Sequence, residues 1–122
     1  MDSHDDIIYS IHAGFCGALS NEKRLQILHL LGGGPRSVGE IAAEIGITPS
    51  NASQHLRIMR SVGLVRVQKE GTQSYYSITS EKFSEGYRLI REGLAELHFS
   101  KSNVLFPEDQ DQEERGDLED RA

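Results

Sequence analysis

The chain of 122 residues has one cysteine, Cys16, no tryptophan, three prolines and only 7% aromatic residues. A single cysteine excludes an internal disulfide and fits a reducing compartment. No apolar run approaches the roughly 20 residues needed to span a bilayer, and the opening "MDSHDD" lacks the basic and apolar regions of a secretory signal. These absences predict a cytoplasmic protein without membrane contact. Catalytic signatures are missing too. There is no glycine-rich phosphate loop and no convincing carboxylate pair, and His12 with Cys16 forms a nucleophile–base candidate without a third group to orient it. The sequence predicts no enzyme.

Apolar residues make up 37% of the chain, which is low for a compact globule. The shortfall concentrates at the end: from Pro107 onward eight acids face only Arg115 and Arg121, so this segment carries the whole net charge of −6. The remaining 106 residues hold eleven acids and eleven bases and are neutral. The expected organisation is one folded domain over residues 1–104 and a disordered acidic tail over 105–122. An acidic overall balance therefore does not argue against a nucleic-acid partner.

Periodicity places a first amphipathic helix over residues 5–18, with Ile7, Ile8, Ile11 and Phe15 at three- and four-residue spacing. Ser20 is the expected N-cap of a second helix, "NEKRLQILHLL", which "GGGP" ends. Ser37 and Glu40 form a capping box for a short third helix closed by Gly46. Thr48 then caps a fourth helix with Pro49 at its first position, where the missing N–H costs nothing. Two β-rich runs around "KEGT" predict a hairpin, and a last amphipathic helix covers about 81–99. The fold class is mainly α with a β-hairpin wing. The tight turn "GIT" between the third and fourth helices makes a helix-turn-helix, and the hairpin after it a wing.

On a helical wheel Ala52, Leu56 and Met59 share the inner face of the fourth helix, leaving Ser50, Asn51, Ser53, Gln54 and Arg57 on its flanks and outer side. Small polar side chains near a helix N-terminus can approach base edges, and Ser, Asn and Gln both donate and accept there. Arg57, Arg60, Arg66 and Lys69 are placed for phosphates, and no acid falls between residues 45 and 69. His55 either joins this set or hydrogen-bonds within the motif. A solvated helix face, or a winged-helix module that binds protein, is the competing reading. The polar, basic character of the face favours double-stranded DNA.

The segments "ALSNEKRLQILHLL", "VGEIAAEIGITPSNASQHLRIMRSVGLV" and "KEGTQSYYSI" resemble the ArsR/SmtB family of winged-helix repressors over Ala18 to Ile78, half the chain. The resemblance implies a homodimer joined through the first and last helices, a palindromic operator, and release by an inducer, here unknown. The implied dimer seam consists of Ile7, Ile8, Ile11 and Phe15 with Phe83, Tyr87, Ile90, Leu94 and Leu97. Their apolar stripes independently need somewhere to be buried.

The family's usual metal ligands do not carry over. Its Cys-x-Cys pair falls on Ser37 and Gly39, and its last-helix site falls on Glu85, Tyr87, His98 and Lys101, where two of four ligands survive and Lys101 puts a positive charge in place of a carboxylate or imidazole. No cofactor or metal is expected. An atypical site of His12, Cys16 and His98 across a dimer is the alternative to the favoured reading of Cys16 as a simply buried thiol. The wing departs from the family as well: Thr72 stands where several members carry arginine, so Lys69 and Gln73 inherit more of any wing contact.

Overall fold

The computed structural model describes residues 4–99, so the acidic tail and the expected boundary at 104/105 lie outside the described residues. The chain divides between Glu85 and Gly86 into two units, the division falling inside the last helix. The elements run α1 (His4–Ala18), α2 (Glu22–Leu31), β1 (Arg36–Ser37), α3 (Val38–Ile45), α4 (Pro49–Ser61), β2 (Val65–Glu70), β3 (Gln73–Ile78) and α5 (Glu81–Phe99). This is the expected winged helix-turn-helix with one added short strand.

Local chemistry sets most of the boundaries. The N-cap of α2 is Asn21 rather than Ser20: its side chain accepts from the Arg24 amide at 3.1 Å. Ser20 instead turns back and donates its hydroxyl to the Gly17 carbonyl at 2.7 Å. It closes α1 rather than opening α2. At α3 the capping box forms as read, with Ser37 Oγ accepting from the Glu40 amide at 3.1 Å and Glu40 Oε1 accepting from the Ser37 amide at 2.9 Å. Gly46 ends α3 at φ 83°, a left-handed conformation that glycine adopts without Cβ strain. Two residues later Thr48 Oγ1 accepts from the Asn51 amide at 3.0 Å and starts α4.

The sheet is antiparallel in the order β1-β3-β2. Its first strand escapes sequence reading because two residues carry no alternation, and their partners, Tyr76 and Tyr75, lie far along the chain. The β2–β3 hairpin turns at Gly71, φ 66°. Thr79 fastens its base by donating its hydroxyl to the carbonyls of Gly63, at 2.7 Å, and Leu64, at 3.1 Å.

The core lies beneath the helix-turn-helix. Ile27, Leu28 and Leu31 of α2, Ile41 and Ala42 of α3, and Ala52, Leu56 and Met59 of α4 are buried with Leu64 and Val65 at the root of the wing. Each large aliphatic side chain so buried contributes roughly 1.5–3 kcal/mol. Leu25 is exposed on α2. The other helices differ. On α1 only Ala18 is buried, and Ile7, Ile8 and Ile11 are exposed. The Phe15 ring packs on Phe83, with centroids 4.8 Å apart. In the second unit, Leu89, Ile90, Leu94 and Leu97 of α5 are exposed, while Tyr87 accepts from Arg91 at 2.9 Å and Arg88 pairs with Glu92. Among the described residues no helix is long and apolar enough to cross a membrane.

Candidate nucleic-acid interface

Helix α4 is anchored on one side and open on the other. Ala52, Leu56 and Met59 are fully covered, which fixes the helix's rotation about its own axis. That rotation exposes Ser50, Asn51, Gln54, Arg57 and Arg60, and leaves Ser53 half-buried on the flank. Ile58 is also exposed, one turn beyond Gln54 and on the same side, a position the polar pattern did not single out. Because Thr48 occupies the Asn51 amide, the first turn has one fewer unsatisfied donor than an uncapped helix.

The wing separates residues that sequence reading had grouped. Arg66 pairs with Ser77, Gln68 with Tyr75 and Glu70 with Gln73, and strand alternation puts all six on one face. Lys69, paired with Ser74, projects to the other face with Val65 and Val67. Arg66 and Gln73 thus share a side that Lys69 does not, although all three are exposed. Glu70 sits opposite Gln73 at the tip, just beyond the acid-free stretch, and partly offsets the positive charge there.

His55 has a partner outside the helix-turn-helix, on α2. Its Nδ1 lies 3.1 Å from the Arg24 guanidinium, a contact between α2 and α4 across thirty-one residues of sequence. Burial first, then the positive charges of Arg24 and Lys23, hold its pKa below the ordinary imidazole value. Sequence reading missed Arg24 here, because nothing local signals a partner on another helix.

Ser37, at one of the two positions of the expected thiolate pair, is buried and occupied as the cap of α3, and Gly39 offers no ligand. Cys16 is exposed rather than buried: α1 is covered by its own chain only near its C-terminal end, so a thiol on the remaining surface faces solvent. His12 is exposed one turn before it on the same helix. His98 belongs to the second unit, and Lys101 lies outside the described residues. Among the described residues no three His, Cys, Asp or Glu side chains gather closely enough to hold a metal ion.

Comparison with known proteins places this geometry among relatives. Residues 21–67 match the profile of the family described as "Bacterial regulatory protein, arsR family". The chain is 40% identical over 97 residues to the HTH-type transcriptional regulator Rv0324 of Mycobacterium tuberculosis, a match covering 75% of this chain and 43% of that protein. It therefore spans less than half of that relative's length. It is 33% identical over 99 residues to the regulator Rv0081 of the same organism, covering 80% of this chain and 87% of the relative. Among solved structures, the homodimeric winged helix-turn-helix DNA-binding domain Mb0332 of Mycobacterium bovis superposes with a TM-score of 0.74 at 34% identity, covering 79% of this chain and 89% of that one.

Proposed function

The chain belongs to the arsR family of bacterial regulatory proteins, and from that premise we propose that it acts as a homodimeric repressor that binds a palindromic operator and leaves it when an inducer binds. One observation carries the DNA reading. The outer side of α4 is exposed, free of acids and polar apart from Ile58, while its inner side is locked into the core, so the helix presents a fixed set of donors and acceptors. Ser50, Asn51, Ser53 and Gln54 are the residues assigned to base edges, and Arg57 and Arg60 to phosphates. On the wing, Arg66 and Gln73 are assigned to one strand of the duplex, and Lys69, on the opposite face, to a neighbouring phosphate.

The dimer seam is assigned to α1 and α5. Their exposed stripes, Ile7, Ile8 and Ile11 with Ile90, Leu94 and Leu97, are what one chain leaves uncovered, and Phe15, Phe83 and Tyr87 border them. The homodimeric state of the Mycobacterium bovis domain supports a dimer here. A twofold dimer would set two copies of α4 about 34–36 Å apart, or a multiple of that, along the DNA. No residue is assigned a catalytic role, and no metal site to the inducer.

The test is fluorescence polarisation with a duplex that the full chain selects from a randomised pool, against a scrambled duplex of equal length. Tighter, salt-sensitive binding to the selected duplex is expected, with the affinity ratio lying in the range of roughly 10³–10⁷ for specific regulators. Equal affinity for the two duplexes would overturn the reading.

A further inference from the structure

Arg24 joins three helices at one guanidinium. Its amide begins α2 by donating to Asn21, its Nε donates to the Ala18 carbonyl at 2.5 Å, and its Nη1 meets His55 Nδ1 at 3.1 Å. The Ala18 carbonyl is among those a helix C-terminus leaves unpaired, and the last turn of α1 has no basic residue of its own to serve it. A guanidinium carries five N–H donors, no acceptor, and does not lose its proton. In this contact His55 Nδ1 is therefore the acceptor, so the ring's proton resides on Nε2.

We propose that Arg24 is a positioning residue for operator recognition: by donating to Nδ1 of His55 it fixes the imidazole of α4 as an Nε2–H donor and ties the DNA-reading helix to the end of α1. The proposal rests on α4 being the DNA-reading helix. Protonating His55 puts a hydrogen on Nδ1 against a group that only donates, so the contact breaks and two positive charges are left facing each other. The charges bearing on the ring, Arg24 and Lys23, both come from α2 and both are positive, which disfavours the imidazolium. Selectivity for the operator thus acquires an acid limb. Below the ordinary imidazole range His55 is cationic, α4 loses its tie, and the added charge supports sequence-independent phosphate attraction rather than discrimination.

The full chain tests this in two ways. Long-range imidazole 1H–15N spectra report the His55 tautomer without DNA. Polarisation with the selected and scrambled duplexes, between about pH 5.5 and 8, reports selectivity. The wild-type chain should show the Nε2–H tautomer near neutrality, and its selected-to-scrambled ratio should fall about tenfold on acidification while scrambled binding holds or strengthens, a loss typical of one charge-assisted hydrogen bond. R24M should lose the tautomer preference, start about tenfold less selective, and show a flattened pH profile. R24K, with one point charge in place of a fork, should recover only part of the ratio. H55Q leaves the Arg24–Ala18 bond available and does not titrate, so its profile should be flat whatever its starting affinity. An R24M chain with the wild-type tautomer and ratio would overturn the proposal, as would an H55Q chain that keeps the acid limb. A wild-type chain that binds both duplexes equally ends the DNA reading and this proposal together. Intact wild-type selectivity with an unaffected R24M ends the proposal alone.

Discussion

Helices α4 and α1 each carry an apolar face, yet their own chain treats the two differently. On α4, Ala52, Leu56 and Met59 are 0% exposed. On α1, Ile7, Ile8 and Ile11 are 48%, 52% and 58% exposed, and the far part of α5 repeats the pattern with Leu94 and Leu97. The apolar face of α4 is covered within one chain, whereas those of the terminal helices are not. A mutation on α4's inner face should act on folding and one on its outer face on DNA. A mutation on the stripes of α1 or α5 should act first on assembly.

The largest effect should come from putting a charge on those stripes. Ile11→Asp or Leu94→Asp should yield a folded monomer by sedimentation, with operator affinity lowered about 10²–10⁴-fold because two linked half-sites become independent. A dimer of wild-type affinity would break the comparison. Next, Leu56→Ala should cost about 2–5 kcal/mol in denaturant unfolding, since it opens a cavity under α4. Ile11→Ala, measured on monomer, should stay within about 0.5 kcal/mol. Below the Leu56 effect, Gln54→Ala should weaken operator binding by about 1–3 kcal/mol without changing stability. The smallest effect on binding, Arg57→Ala, should weaken binding to every duplex alike and reduce the salt slope by about one.

The helix-turn-helix was legible from sequence because its signals are local. Ser37 with Glu40, the glycine at 46, and Thr48 before Pro49 each declare a helix end within four residues, and all form as read. The inner face of α4 followed from periodicity alone. What escaped depends on partners distant in sequence. The strand β1 exists only because Arg36 and Ser37 meet Tyr76 and Tyr75. The partner of His55, Arg24, lies thirty-one residues away on another helix. Arg66 and Lys69 read as a pair of wing cations, but hairpin register sends them to opposite faces. The exposure of Cys16 turned on what covers α1, and propensity is silent on that.

Ser37 holds two positions at once: it is the last residue of β1, paired to the wing, and the cap of α3, the first half of the helix-turn-helix. The hairpin and the helix pair are thus riveted through a single buried hydroxyl and its backbone. Such a subunit works like one fixed jaw of a caliper, whose two contact points cannot be reset against each other. Under the proposed DNA contacts, a site with altered spacing between its major-groove contact and the flanking contact would be out of gauge for it. On the proposed palindromic operator, tolerance to spacing between half-sites would have to come from the joint between two jaws.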